Sequence, residues 1–376
     1  MAKRKGAGGN KDNQAEKIFE FPLGERDLER RQAVARKAFV SGILDDQRDE
    51  SRKRGDSVWR IIRYRRVVDP RHVPMRLPLD SFVLPETFER HMEYLAASCK
   101  PMSLKELIRR IDNYEAVPPN TVVVTFDGGH MDNYLYAFPK LVKYQIPATV
   151  FPVTGYIGSN NFFFEDRLAL ALEVLEKRGI ALPHLPFIAE EAYALIEEIS
   201  PKLMVNEKVL AIFVRAMRRI SEEQKKEVFA QLGALLAEIT EPPNFEDFVR
   251  WNDLRHMQSM GISVGMIGHS DIVATGVSPE RHVADLIASI EAFKQQDVEL
   301  ERTYAFPEGL FDEAALDTLE KLQLRFALGL GVVKDPRYQI RVPMILGRVP
   351  MCELLAPSRE MFACRLWGIR IGDTIF

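Results

Sequence analysis

A carboxylate set where an apolar run gives way to glycine is a place for chemistry, and this chain has one at Asp127. The stretch Thr121 to His130 reads TVVVTFDGGH. Its apolar and β-branched residues predict a buried parallel strand that ends in a functional loop. Gly128 and Gly129 behind the aspartate let a ligand approach the backbone closely. Asp127 is therefore a candidate catalytic group. Its purely structural alternative is a buried Asp that holds the loop through hydrogen bonds to backbone amides.

The surrounding pattern supplies the elements that such a residue needs. From Val58 onward short apolar runs alternate with helical runs, as a parallel β/α fold requires. Trp59 to Val67 is the expected first strand. Pro85 to Ala97 and Ser103 to Asp112 follow as helices, the second with a Ser cap and Glu106 in capping-box spacing. Strand 122–126, helix 133–144 and strand 148–153 come next. After them come strand 262–268, helix 279–295, strand 302–307, helix 312–322 and strand 325–331. Residues 160 to 250 break this rhythm and read as a helical insertion, with Val228, Leu232, Leu235, Leu236 and Ile239 on one side of a helix from Glu222 to Ile239.

Composition bounds the class. The 376 residues are 46% hydrophobic and 28% charged with net charge −3, which fits an ordinary globular protein and argues against a nucleic-acid binder. Residues 1 to 66 hold 18 Lys or Arg and 11 Asp or Glu, a local excess of +7 that leaves −10 for the rest. This marks residues 1–57 as a basic tail and amphipathic helix, with Leu28, Val34, Ala35, Phe39, Val40 and Leu44 at helical spacing and a charged linker from Asp45 to Asp56. The segment is either a solvated face or a surface for a protein or anionic partner. Cys99, Cys352 and Cys364 show no metal-type spacing, and no apolar run marks a signal peptide or membrane anchor, so a cytoplasmic location is expected.

Taken together, TVVVTFDGG, the following Asp132 and Asn133, and Ile146-Pro147-Ala148-Thr149-Val150-Phe151 resemble the NodB-type polysaccharide deacetylases, carbohydrate esterase family 4. The resemblance implies an α/β fold, a distorted (β/α) barrel over residues 58–350 with an insertion at about 160–250 and an extension at 351–376. It also implies a site in which an Asp base works beside an Asp-His-His metal triad. Asp127 matches the base. Gly128 falls where the first ligand belongs, His269 and Ser270 match the start of the H-[ST]-x-x-H motif, and Val273 falls where its second His belongs. Tyr304-Ala305-Phe306-Pro307-Glu308-Gly309 resembles the third motif, in which Pro307, Glu308 and Gly309 line the substrate groove and the backbone stabilises an oxyanion. Tyr64-Arg65-Arg66-Val67 resembles a leading Y-H-R-V segment, which adds Tyr64 and Arg65 to the groove.

Two readings follow. One is a deacetylase-like pseudoenzyme with no cofactor that binds a carbohydrate, an amino sugar or a protein partner. The other is a hydrolase that removes N-acetyl groups with a relocated zinc or other first-row metal on His269 and on His130, Asp132 or Asp271. The structural alternative for these last three is capping: His130 and Asp132 at the helix near Asn133, and Asp271 at a turn. Phe162-Phe163-Phe164 and the leucines Leu168, Leu170, Leu172 and Leu175 are expected in the core of the insertion, although an aromatic run at a groove lip would also stack on sugar faces.

Overall fold

The computed structural model describes residues 25–42, 59–159, 161–181, 183–200, 206–235, 247–331, 342–371 and 374–375. The expected tail at 1–15, the linker from Asp45 to Asp56, and Leu44, Leu236 and Ile239 lie outside them.

Seven parallel strands build the scaffold: β1 Arg60–Tyr64, β5 Thr121–Gly128, β6 Ala148–Pro152, β7 Ser263–Val264, β8 Thr303–Ala305, β9 Phe326–Leu330 and β10 Met344–Pro350. They lie in the order β7-β6-β5-β1-β10-β9-β8, a short β4 (Lys100–Pro101) also pairs with β5, and β2 (Arg66–Val67) and β3 (Phe82–Val83) form a separate two-stranded sheet. The two ends of this order meet in a parallel bridge between Met266 and Tyr304, with Met266 N–H donating to the Thr303 carbonyl at 3.0 Å and Ala305 N–H to the Met266 carbonyl at 2.8 Å. A curled sheet closed by one such bridge is a distorted (β/α) barrel. The expected strand 262–268 is shorter than its apolar pattern: it spans Ser263–Val264, after which Gly265 N–H still donates to the Val150 carbonyl at 2.9 Å and Met266 makes the bridge.

Period-2 alternation decides which side chains enter the barrel. On β5, Val122, Val124 and Phe126 pack against the outer helices, while Val123 joins Ile61, Phe151, Ala305, Leu328 and Leu346 in the interior cluster. Thr125 and Asp127 continue this inner row toward the C-terminal end of the strand. On β1, Arg63 pairs in register with Thr125, and Ile61 with Arg348 of β10. The sequence repeat alone therefore aims one carboxylate and two guanidiniums at the same end of the barrel.

Outside lie α1 (Glu25–Val40), α2 (Pro85–Ser98), α3 (Leu104–Asp112) and α4 (Phe138–Lys143). The Ser103 hydroxyl caps α3 by accepting from Glu106 N–H at 3.1 Å, while Asn133–Ala137 before α4 is a π-turn rather than α-helix. Between β6 and β7 the insertion carries α5 (Phe164–Lys177), α6 (Glu190–Ile199), α7 (Glu207–Met217) and α8 (Glu222–Leu235), followed by α9 (Trp251–Ser259). Leu168, Leu172 and Leu175 are buried in its own apolar cluster with Val209, Phe213 and Val228. The barrel is completed by α10 (Pro279–Gln295), α11 (Glu313–Lys321) and α12 (Arg359–Trp367). None of the described helices is long and apolar enough to cross a membrane.

Candidate functional site

Asp127, next to last in β5, faces into the barrel, and each of its oxygens accepts from a guanidinium. Arg348 holds it bidentately, Nη1 to Oδ1 at 2.6 Å and Nη2 to Oδ2 at 2.9 Å, and Arg63 Nε reaches Oδ2 at 2.9 Å. Burial alone would raise the pKa of this carboxyl, but the two guanidiniums outweigh it and hold the group below the usual carboxylate range. Arg348 is wholly buried and also lies near the Thr125 hydroxyl at 3.5 Å. Neither sequence alternative foresaw this arrangement. The partners of Asp127 are side chains of β1 and β10, not backbone amides.

Gly128 adopts φ +101°, and a Cβ there would meet the His130 ring at 3.1 Å and the Phe163 ring at 3.3 Å. The space for a side chain is thus filled by imidazole. His130 Nδ1–H donates to the Asp247 carboxylate at 3.1 Å, and the ring stacks on Phe248 with centroids 5.4 Å apart. Burial and the nearby Arg66 hold its pKa down, so the neutral ring is favoured. The segment after the insertion brings Asp247 in: Val249 N–H donates to the Gly129 carbonyl at 3.0 Å, and Met131 N–H to the Asp247 carbonyl at 2.7 Å.

Asp132 does not cap the turn at Asn133 with its side chain. It accepts from Arg66 Nε at 2.7 Å and from Val67 N–H at 3.0 Å. Arg66 also pairs with Asp247 and lies 3.7 Å from Asp166. Three carboxyls thus share one guanidinium, and the surplus negative charge falls on Asp166. Burial, then repulsion from Asp247, pushes its pKa up to about 8.

Just past the end of β1 and two residues beyond Arg63, Arg65 takes part in a second ion cluster at the barrel mouth. Its Nη1 lies 2.7 Å from Glu165 and 3.3 Å from Glu308, and its guanidinium stands 4.9 Å above the Phe163 ring. Arg218 of the insertion pairs with the same two carboxylates, at 3.1 Å to Glu165 and 3.2 Å to Glu308. Burial works against the charge of Glu165, yet Arg65 and Arg218 bring its pKa down to about 2. Glu308 holds this place at φ +54°, a left-handed conformation that costs roughly 1–3 kcal/mol in a non-glycine residue and survives only where the surroundings enforce it. Pro307 is buried beside it, and the Gly309 amide donates to the Phe306 carbonyl at 2.8 Å rather than pointing into open space.

His269 sits on the other side, in the loop after β7. Its Nδ1 lies 3.1 Å from the Thr154 hydroxyl, and its own amide donates to Asp285 at 2.9 Å, as Ser270 N–H does at 2.8 Å. Gly268, at φ +135°, is required here because a Cβ would fall 2.5 Å from the Asp285 carboxylate. Tyr64 corrects its expected place in the groove. As an even residue of β1 it faces outward, with its hydroxyl 2.9 Å from His91 Nδ1 and its ring stacked on Phe126.

The chain belongs to the polysaccharide deacetylase family, which it matches over residues 114–327. It is 38% identical over 81 residues to the poly-beta-1,6-N-acetyl-D-glucosamine N-deacetylase of Staphylococcus epidermidis, a match covering 21% of this chain and 28% of that protein. It is 34% identical over 97 residues to the protein of that name from Staphylococcus aureus, covering 25% and 32%. The matches thus span about a third or less of these relatives. A polysaccharide deacetylase from Bacillus anthracis shares the fold, with TM-score 0.50 at 14% identity over 82% of this chain and 68% of that one.

Deacetylases of this type typically depend on a metal, and the residues present do not fit one. Gly128 offers no ligand and Val273 is apolar. The nearest imidazole to Gly128 is bonded to Asp247, and Asp132 is bonded to Arg66. Among the described residues no three His, Cys, Asp or Glu side chains converge as a metal site, and His269 Nδ1 is bonded to the Thr154 hydroxyl. The cationic groups at the mouth are guanidiniums.

Proposed function

We propose that this chain is a polysaccharide-deacetylase-family protein that binds carbohydrate at the C-terminal end of its barrel and does not carry out metal-centred deacetylation. The observation that carries this reading is the state of Asp127. A general base needs an accessible oxygen within reach of the proton it takes and a pKa near the working pH, whereas Asp127 is buried. Both oxygens of Asp127 accept from guanidiniums, and its pKa is driven the other way. Arg65, Arg218, Glu165 and Glu308 tie barrel to insertion just outside it. Carbohydrate is the ligand class favoured by the family match and by the names of its curated relatives, which act on a polymer of N-acetylglucosamine.

The test is a calorimetric titration of the full chain with soluble oligosaccharides, including β-1,6-linked N-acetylglucosamine oligomers, before and after chelation, beside an acetate-release assay supplemented with zinc or cobalt. The reading expects saccharide binding that chelation leaves unchanged, with no acetate released above the blank. Metal-dependent acetate release that disappears in His269→Ala overturns it, as does failure to bind every saccharide tried.

A further inference from the structure

A groove of about 410 Å³ runs between the start of α5, the helix α8 and the loops after β6 and β7. Ligand pockets typically fall at about 300–1,000 Å³ and combine apolar walls with a few placed polar groups. This one has aromatic walls from Tyr156, Phe162, Phe164 and Phe229, and its polar lining is Arg167, Glu222, Lys225, Lys226 and Asp271. It is continuous with the loop that bears His269, since Gly155 N–H donates to the His269 carbonyl at 2.9 Å and Thr154 N–H to the Gly268 carbonyl at 3.1 Å. Most of its lining, from Phe162 to Ala230, belongs to the helical insertion.

Resting on the reading that the protein binds carbohydrate, we infer that this groove is the sugar subsite and that it selects a saccharide carrying a carboxylate, a uronic acid unit, over neutral and cationic sugars. The aromatic rings give the faces on which a pyranose stacks, and two of them already carry cations. Lys225 Nζ stands 4.3 Å over Phe164, and the Arg167 guanidinium 4.3 Å over Phe229. An anion placed at a ring edge meets these charges without having to recruit them.

The balance of charge supports the same choice. Lys225 is committed to Glu222 at 2.7 Å, which cancels one pair. Arg167 and Lys226 are exposed and remain to receive an anion, with Glu223 the acidic neighbour of Lys226 on the same helix. Asp271 forms no hydrogen bond among the described residues. It lies in the field of the cations Arg65 and Lys225 as well as of Glu165 and Glu308. A cationic, de-N-acetylated amino sugar gains nothing from Arg167 and Lys226.

The experiment is titration of the full chain at low ionic strength with three oligosaccharides of equal length: one containing uronic acid, one of neutral N-acetylglucosamine and one of glucosamine. Parent protein is compared with R167E/K226E, two exposed substitutions, and with Phe229→Ala. The inference expects the uronic acid oligomer to bind tightest, an advantage that shrinks with added salt, and an affinity loss of about tenfold or more in R167E/K226E while far-ultraviolet circular dichroism stays unchanged. Phe229→Ala should weaken all saccharides that bind. Equal binding of neutral and acidic oligomers, indifferent to R167E/K226E, overturns the inference and leaves the carbohydrate reading standing. No binding by any oligomer overturns both.

Discussion

Replacing Asp127 with Asn separates a structural carboxylate from a catalytic one. The substitution keeps the shape and one acceptor oxygen but removes the charge that faces Arg348 at 2.6 and 2.9 Å and Arg63 at 2.9 Å. Arg348 has no exposed surface at all, so solvent cannot replace the lost partner. Removing one member of a buried ion pair typically costs about 3–5 kcal/mol because the other charge is left uncompensated. Here two guanidiniums are left side by side, while the Asn oxygen still accepts one hydrogen bond, so a loss of about 3 kcal/mol is expected. Against a total stability of about 5–15 kcal/mol for a typical domain this is a large fraction. Urea denaturation at pH 7 reads it as a lower midpoint with the same slope. The pKa of Asp127 is depressed in the fold, so its contribution is fully present above the unfolded value near 4 and is lost as pH falls through the lower folded value. The gap between parent and Asp127→Asn should therefore close in acid. Asp127→Asn combined with Arg348→Met should recover part of the loss, since an apolar replacement of a buried pair is often neutral. Active-site groups behave in the opposite way, because function is held at the expense of stability. An Asp127→Asn variant as stable as the parent or more so would refute the reasoning.

Three further outcomes follow from the same geometry. Gly128→Asp, which restores the family's residue, should destabilise the fold by roughly 1–3 kcal/mol through its φ of +101° and its contact with His130, and metal titration should find no new site. In Asp166→Asn the neutral form is permanent. Since the folded pKa is about 8 and the unfolded one near 4, the parent loses stability as pH rises between them, and the variant should gain on it by up to about 1.4 kcal/mol per pH unit from pH 6 to 8 in chemical denaturation. Asp271, near Glu165, Arg65, Glu308 and Lys225, becomes anionic as pH passes about 7. Affinity for an acidic saccharide measured from pH 6 to 8 should fall in the parent and stay flat in Asp271→Asn.

The barrel was legible because its signal is local. An apolar run ending in Asp127 and glycines, the Ser103 cap and the alternation of strand and helix patterns all act over a few residues. Even the inward row could be counted along β5. What could not be read was the partnership of these residues. Arg348 stands 221 positions from Asp127 and Arg63 stands 64, and nothing local to either arginine points to that carboxylate. The only available signal was period-2 counting on β1 and β10 applied to charged residues, which places Arg63 and Arg348 inside. Asp247 gave still less, since it follows a long insertion and reaches His130 only through the pairing of 247–249 with 129–131. Tyr64 misled for a simple reason: the motif placed it in the groove, whereas its parity on the strand turns it to the helices.

The most direct test is the metal content of the full chain, purified without chelator, equilibrated with zinc and cobalt and then dialysed, beside His269→Ala. Substoichiometric metal that is the same in both proteins is the predicted result. One tightly held metal per chain that disappears with His269 would contradict the account and return Asp127 to consideration as a base.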